Sequence, residues 1–239
     1  MSAVREIVDE HELYPVHEED TVLERPQHER QVRYLRDALT ARFPERCVTG
    51  EVCMYWVEMA FGLYRAPDVL VVDRLPPAEP PPVYLGWKDG PALLVIEVGS
   101  KSTFKEDEGP KVDRYLLDLD VPEYLYFWPH PNPRRRRTRM WRLVDDQVAD
   151  VAPLPCGRFY SETVGLEFGV DAEGMLRIYE RGGNALPDSV ELKRMYEAER
   201  RRADALQEEL DRLKAQIQQL PAKSRRRGPG TGPGTTDVD

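Results

Sequence analysis

Two carboxylates that could bind a metal lie at the edges of short apolar runs in the first half of the chain. Asp68 precedes Val69-Leu70-Val71-Val72, and Glu97 follows Leu93-Leu94-Val95-Ile96. The unbroken apolar character of both runs predicts buried strands. A buried charge without a partner costs several kcal/mol, or its pKa shifts until the group is neutral. We therefore expect the two acids to share a cation, and a divalent metal is the first candidate.

Each acid also has a structural interpretation when it is considered alone. Asp68 could cap the end of its strand, and Glu97 could pair with an arginine. The choice therefore depends on the elements that position the two residues.

The segments around these acids predict an α/β domain. A helix begins at Pro26, and its apolar face comprises Val32, Leu35, Leu39 and Phe43. Strands are predicted over Cys47–Val57, Asp68–Val72, Leu93–Val98 and Tyr124–Trp128. Gly99–Gly109 is predicted to be a polar loop, and a second helix to begin at Pro110. Strands that alternate with helices are typical of a sheet with helices on its faces.

Four short motifs occur in a distinctive order. They are Pro67-Asp68-Val69, the stretch from Glu97 to Thr103, the series Asp107, Lys111 and Tyr115 at spacings of four, and Val121-Pro122-Glu123-Tyr124. This order resembles the Uma-two family of restriction-endonuclease-like proteins, within the PD-(D/E)XK nuclease superfamily. The resemblance covers roughly residues 26–130. It implies a restriction-endonuclease-like fold, with a mixed central sheet flanked by helices.

The resemblance also implies a function and a catalytic set. The implied activity is metal-dependent endonuclease cleavage of DNA, a hydrolase reaction on ester bonds, with Mg²⁺ or Mn²⁺ as cofactor. Asp68, Glu97 and Lys111 would be catalytic. Asp68, Glu97 and the backbone carbonyl of Val98 would hold the metal. Mg²⁺ on carboxylates can polarise a phosphoryl oxygen, activate water and neutralise charge in the transition state.

The lysine is displaced from its usual place in the superfamily, two residues after the acid, where this chain has Gly99. The family pattern assigns the role to Lys111 on the following helix, and Lys101 is the runner-up. Supporting roles are expected for Ser100, Asp107 and Tyr115. His28 could also approach the site, although a surface or capping position is the plainer interpretation of a lone histidine near a helix end.

Charge and cysteine content limit the remaining possibilities. The chain has 239 residues and a net charge of -9, so any contact with nucleic acid must come from local basic patches or bound cations. Five arginines, Arg134–Arg137 and Arg139, form such a patch, or alternatively a solvated turn. We expect no membrane span and no signal peptide. The three cysteines form no CxxC pair, which favours free thiols and a cytoplasmic location.

The C-terminal part of the chain predicts a coiled coil. Apolar residues alternate at spacings of four and three, with one misfit at Glu199; the positions are Leu192, Tyr196, Glu199, Ala203, Leu206, Leu210, Leu213, Ile217 and Leu220. We expect a homodimer through Leu192 to Leu220, with parallel helices favoured, unless the helix folds back on its own domain. The predicted organisation is a domain over 1–186, a coiled-coil helix over 187–222 and a disordered tail over 223–239.

Two functions from different classes follow. The first is the metal-dependent deoxyribonuclease. The second is an interaction protein that keeps the PD-(D/E)XK fold without catalysis and acts through its coiled coil, which the acidic body of the chain favours. Cleavage of RNA or of a small nucleotide is a weaker third possibility.

Overall fold

The computed structural model describes residues 10–15, 26–74, 82–100, 104–130 and 136–219. The chain divides into two compact units, Met1–Ser189 and Val190–Asp239. Lys101, Leu220 and the tail over 223–239 lie outside the described residues. Predictions about them stay untested.

The first unit is a mixed α/β domain. Its helices within the described ranges are a 3₁₀ turn (Glu10–Leu13), α1 (Pro26–Arg42), α2 (Phe104–Asp107), α3 (Pro110–Asp113) and a π-helical turn (Arg114–Asp118). The strands there are β1 (Cys47–Thr49), β2 (Cys53–Tyr55), β3 (Tyr64–Arg65), β4 (Val69–Val72), β5 (Val83–Leu85), β6 (Ala92–Val98), β7 (Glu123–Phe127), β8 (Thr138–Val144), β9 (Gln147–Asp150), β10 (Phe159–Tyr160), β11 (Leu166–Val170) and β12 (Leu176–Glu180).

The central sheet has six strands in the order β1-β4-β6-β7-β8-β9. Its neighbouring strands are antiparallel except for β6 and β7, which are parallel. Parallel neighbours need a crossover connection, so the segment between β6 and β7 passes over a face of the sheet. That segment contains α2, α3 and the π-helical turn. Two smaller sheets have the orders β10-β11-β12 and β3-β2-β5.

The central sheet separates two apolar cores. On one face, α1 packs through Val32, Leu35 and Leu39 in a cluster that includes Ile96 and Phe127. The predicted apolar face of this helix is therefore confirmed. On the other face, the crossover contributes the buried residues Val112, Tyr115 and Leu116, in a cluster with Val95, Tyr124 and Tyr126.

The predicted strand Cys47–Val57 was wrong as one element. It forms two strands in different sheets, β1 and β2, with Gly50 between them. A Cβ atom on Gly50 would lie 2.0 Å from the backbone oxygen of Asp68, and Glu51 follows with a φ of 59°. The chain turns here because a glycine allows this close approach.

The helix predicted from Pro110 is also interrupted. It begins at Pro110 as expected, but α3 ends at Asp113 and continues as the π-helical turn Arg114–Asp118. The expected loop over Gly99–Gly109 contains the short helix α2. Turns of π-helix occur frequently at functional sites.

Glu123 of the Val-Pro-Glu-Tyr motif joins the central sheet to the segment before β11. Its side chain is fully buried, pairs with Arg142 at 2.7 Å and accepts a hydrogen bond of 2.7 Å from the Thr163 hydroxyl. The backbone N–H of Glu162 donates a further bond of 2.9 Å. A buried carboxylate with this many donors has a structural role.

The second unit contains α4 (Ser189–Gln219), a helix of 31 residues. The large apolar side chains of the heptad pattern are exposed by between 46% and 68%; they are Leu192, Tyr196, Leu206, Leu210, Leu213 and Ile217. The long C-terminal helix is thus present, and its pairing stays a prediction. Within the described ranges, no helix combines the length and apolar character needed to cross a membrane.

Candidate active site

The antiparallel pairing of β4 with β6 brings the two predicted metal ligands together. Val69 pairs with Ile96, and one further position in this register sets Asp68 opposite Glu97. The backbone N–H of Val98 donates a hydrogen bond of 2.6 Å to Asp68 Oδ2. Like charges directly opposite each other destabilise a sheet, so this pair needs a compensating cation.

The crossover supplies one such cation above the carboxylates. Lys111 Nζ lies 3.0 Å from Glu97 Oε1 and 3.0 Å from Asp107 Oδ1. One helical turn later, the Tyr115 hydroxyl donates a hydrogen bond of 2.6 Å to the same Glu97 oxygen. Asp107 is itself positioned by Tyr124, whose hydroxyl donates to its backbone oxygen at 2.9 Å. The spacing of four between Asp107, Lys111 and Tyr115 therefore brings all three to one side of the crossover.

Burial makes the charges in this cluster strongly interdependent. Glu97 is 4% exposed and Asp107 is 1% exposed. Burial raises the pKa of Glu97; Lys111 opposes this shift and Asp68 adds to it. Burial alone lowers the pKa of Lys111, but Glu97 and Asp107 outweigh it and raise that pKa above its ordinary value. Lys111 is therefore a protonated hydrogen-bond donor at neutral pH.

Tyr115 remains protonated for a related reason. Burial, and next the Glu97 carboxylate, raise the pKa of its hydroxyl well above the usual value. A protonated phenol can only donate to the Glu97 oxygen. Glu97 is thus oriented by two donors, Lys111 and Tyr115, at one oxygen.

Gly99 shows why the lysine cannot stand two residues after the acid. A Cβ atom at this position would lie 2.3 Å from the Tyr126 hydroxyl oxygen and 2.6 Å from its ring carbon Cε2. Tyr126 is completely buried beside Glu97 in the neighbouring strand. The sequence analysis missed Tyr126, although the alternation of side chains in β7 places it on the face that also carries Tyr124.

The remaining predicted support residues have different placements. His28 Nε2, at the start of α1, lies 3.4 Å from Asp68 Oδ2, so the histidine does reach the site. Ser100 lies two residues after the end of β6 and is half-buried. Lys101 lies outside the described residues, and its competition with Lys111 for the lysine role stays open.

The donor set suits a hard cation with few protein ligands. Among the described residues, no group of three or more His, Cys, Asp or Glu side chains is arranged to hold a metal ion. Mg²⁺, however, usually keeps several waters and binds through one or two carboxylates. Among the described residues, Asp68, Glu97 and Asp107 provide three carboxylates, and Lys111 contacts two of them, Glu97 and Asp107. The pair formed by Asp68 and Glu97 therefore fits such an ion.

Comparison with known families decides the relationship. The model of the Uma2 family, described as "Putative restriction endonuclease", matches residues 16–178, more than half of the chain. The chain belongs to the Uma2 family. The match extends beyond the 26–130 expected from the motifs and takes in β8 to β11 completely. Comparison with curated proteins gives no significant match.

Family membership confirms two predictions, and of the predicted function it supports the general class. The resemblance to the family and the restriction-endonuclease-like α/β fold are confirmed. The family points to a nuclease-like function with DNA as the substrate class. The metal and the individual catalytic roles belong to the proposal below.

Proposed function

We propose that the protein is a metal-dependent nuclease that hydrolyses phosphodiester bonds of DNA, with Asp68, Glu97 and Lys111 in its active site. The observation that carries this proposal is the contact of Lys111 with Glu97 at 3.0 Å, beside a second carboxylate on the neighbouring strand. A structural interpretation of each acid alone does not account for two opposed carboxylates at one sheet edge with a lysine above them.

Asp68, Glu97 and the Val98 carbonyl would hold Mg²⁺ or Mn²⁺. Such an ion, when bound, polarises a phosphoryl oxygen, lowers the pKa of a water and neutralises developing charge. The choice of these ligands is supported by the position of Asp68 opposite Glu97, since Lys111 contacts Glu97 and Asp107 and the described contact of Asp68 with a basic side chain is that with His28.

The protein side chains then have distinct tasks. Lys111 supplies fixed positive charge and hydrogen-bond donors next to the metal ligands, where charge develops on the phosphate. Tyr115 and Asp107 orient Glu97 and Lys111 respectively. The Val98 N–H and His28 orient Asp68. Partners of this kind commonly tune ligand position and affinity.

The proposal is tested by titrating Mn²⁺ into the wild-type protein calorimetrically and incubating the protein with duplex, single-stranded and branched DNA. We expect binding and cleavage in the wild type, and loss of both in Glu97→Ala. Glu180→Ala, which removes an exposed carboxylate paired with Arg42, is the control and should retain both. A wild-type protein that binds no Mn²⁺ and cuts none of these substrates contradicts the proposal.

The lysine role is tested by comparing Lys111→Ala with Lys101→Ala. If Lys111 acts as proposed, its removal abolishes cleavage while Mn²⁺ still binds, because both metal carboxylates remain. Lys101→Ala should then keep most of the activity. The reverse result assigns the role to Lys101. RNA belongs among the substrates, since preferential RNA cleavage would change the substrate class.

A second candidate function is an interaction protein with a silent site. Two features of Glu97 favour this function. Its side chain is almost completely buried from solvent, and one of its carboxylate oxygens already accepts hydrogen bonds from both Lys111 and Tyr115. A silent site predicts no Mn²⁺ binding at all. Measurable binding that is lost in Glu97→Ala counts strongly against this alternative.

We further propose that the protein is a homodimer through α4, over Leu192 to Leu220. The exposed heptad residues support this proposal. In a parallel coiled coil, Glu209 at a g position could reach Lys214 at an e position of the partner. Two sites could then act on opposite strands. Light scattering should give twice the chain mass for the full-length protein and a monomer for a version that ends before Asp188. If the full-length protein and the shortened version contain the same number of chains, the pairing is refuted.

A cytoplasmic location stays a prediction from the sequence.

A further inference from the structure

The arginine-rich connection between β7 and β8 contains residues with different tasks. Arg137 is a structural residue, because its guanidinium donates to the backbone oxygens of Trp128, Pro129 and Gly174. Arg136 is exposed, and Arg139 is half-buried at the start of β8. Arg134 and Arg135 lie outside the described residues. Among the described arginines of this connection, the two candidates for contact with an external ligand are Arg136 and Arg139.

Arg139 lies in the same transverse row of the sheet as the catalytic glutamate. Glu97 pairs with Tyr126 on β7, and Tyr126 pairs with Arg139 on β8. Since neighbouring strands lie about 4.8 Å apart, the Cα atoms of Glu97 and Arg139 are separated by about 10 Å. Both sheet positions are at the edge where β6 and β7 end and β8 begins.

Aromatic contacts place the two side chains on the same face of the sheet. The Arg139 guanidinium lies 4.5 Å from the ring centre of Trp141, which stacks on Tyr124. Tyr124 in turn contacts Tyr115, the residue that donates to Glu97. The stacked ring holds the guanidinium on the side of the sheet that carries the active-site cluster.

A cavity of about 560 Å³ opens at this position, and Arg136 and Arg139 both line it. Glu108, which directly follows Asp107 of the active-site cluster, also lines the cavity. Glu108 connects the cavity to the crossover, and Met140 and Phe159, from the core on the α1 face, also line it. The cavity also contains Asp150, so the two arginines face two carboxylates.

The carboxylate nearest Arg139 is not a strong competitor for an anion. Asp150 accepts one hydrogen bond of 2.9 Å from Arg139 and is 70% exposed. Exposed ion pairs contribute little, with a median of about 0–1 kcal/mol. A guanidinium has five N–H donors, so Asp150 can orient Arg139 while other donors remain for a phosphate.

We propose that Arg136 and Arg139 each bind a backbone phosphate of the DNA strand, on the side of the active site that faces β8. The Cα separation of about 10 Å from Glu97 sets the contacted phosphate close to the bond that is cut. The inference rests on the proposed function and adds to it the path of the substrate strand. It also explains how an acidic protein can approach DNA, through a local pair of arginines.

The test measures binding without cleavage. Glu97→Ala protein without added metal is titrated into fluorescein-labelled duplex DNA at several salt concentrations between about 50 and 200 mM. Each phosphate contact contributes about one unit to the slope of log K against log salt. We expect Arg139→Ala to weaken binding equally for different DNA sequences and to lower the slope by about one, and the double variant with Arg136→Ala to lower it by about two.

Arg42→Ala is the matched control. Arg42 also pairs with an exposed carboxylate, Glu180, at 2.8 Å and lies over an aromatic ring, that of Phe43. It occupies the last turn of α1, about 20 Å along the helix from His28 at the rise of 1.5 Å per residue. Its removal should leave the slope unchanged.

Asp150→Asn separates a binding role of Arg139 from a structural one. If Arg139 binds phosphate, removal of the competing charge tightens DNA binding. If Arg139 only stabilises the end of β8, Asp150→Asn lowers the melting temperature and leaves the affinity unchanged. That second result, or an unchanged slope in a folded Arg139→Ala variant, overturns the inference and leaves the proposed nuclease standing. Absence of any DNA binding before these substitutions overturns both.

Discussion

Replacement of Lys111 by methionine removes the cation that holds Glu97 and Asp107 together. The ammonium nitrogen lies 3.0 Å from an oxygen of each carboxylate, and both carboxylates are almost completely buried. Removal of one partner from a buried ion pair costs about 3–5 kcal/mol. Methionine keeps an unbranched apolar side chain. We therefore expect the free energy of unfolding to fall by about 3–5 kcal/mol at neutral pH, a large part of the total of about 5–15 kcal/mol.

The loss should depend on pH with a definite sign. Burial already raises the pKa of Glu97, and the rise must grow when Lys111 no longer opposes it. The unfolded pKa of a glutamate is about 4.3. At pH values between this unfolded pKa and the higher folded pKa, the folded protein binds more protons than the unfolded protein. The free energy of unfolding therefore falls as the pH rises through this range. Urea unfolding at about pH 5 and about pH 8 should show the larger loss at the higher pH.

Arg33→Met is the control for this experiment. Arg33 and Glu29 are also a helical pair at a spacing of four, but their side chains are 62% and 65% exposed. Such a pair contributes about 0.3–0.5 kcal/mol, so this variant should be nearly unchanged at both pH values. The buried ion pair is refuted if Lys111→Met lowers the free energy of unfolding no more than Arg33→Met does. It is also refuted if the loss in Lys111→Met is independent of pH.

Two further predictions concern residues near the site and in the small sheet. Gly99→Ala should destabilise the protein by about 1–3 kcal/mol through overpacking against Tyr126 and reduce cleavage. The loss of stability is measured by urea unfolding of Gly99→Ala, Tyr126→Ala and the double variant. A loss in the double variant equal to the sum of the two single losses contradicts the clash. Tyr84, buried and bonded to the Gly90 carbonyl, has a pKa raised by burial to about 12. Between about pH 10 and 12 the unfolded state then binds fewer protons, so the free energy of unfolding falls with rising pH by roughly 2–3 kcal/mol. Tyr84→Phe should remove this part of the fall in the free energy of unfolding at alkaline pH. If the variant and the wild type show the same dependence of this free energy on pH, the prediction is wrong.

Local sequence patterns were sufficient where one element determines the outcome. The apolar face of α1 follows from its helical spacing, and β4 and β6 follow from their apolar runs. The spacing of four placed Lys111 and Tyr115 one turn apart even though the helix becomes a π-helical turn after Asp113, whereas Asp107 lies in α2, where a polar loop was predicted. One turn of either helix type brings such residues to the same side.

Local patterns failed where contact with a distant segment of the chain determines the local structure. The stretch Cys47–Val57 favours a strand along its length, but the backbone of Asp68 approaches Gly50 and divides it. The absence of a lysine at position 99 is visible in the sequence, whereas its cause, the buried ring of Tyr126, lies on another strand. Sequence spacing contains no information about such contacts.

The sequence by itself determined the family and the fold class, because motif order and apolar period are local properties of the chain, and it supplied the candidate residues for the proposed chemistry. The tertiary structure decided which of these residues meet. A register shift of one residue between β4 and β6 would turn Asp68 away from Glu97. The crossover between parallel strands brings Lys111 over Glu97, and the pairing of β7 with β8 separates Arg139 from Arg137. Strand register and crossover path arise from packing across the whole domain, and therefore only the folded chain shows which of these residues lie together.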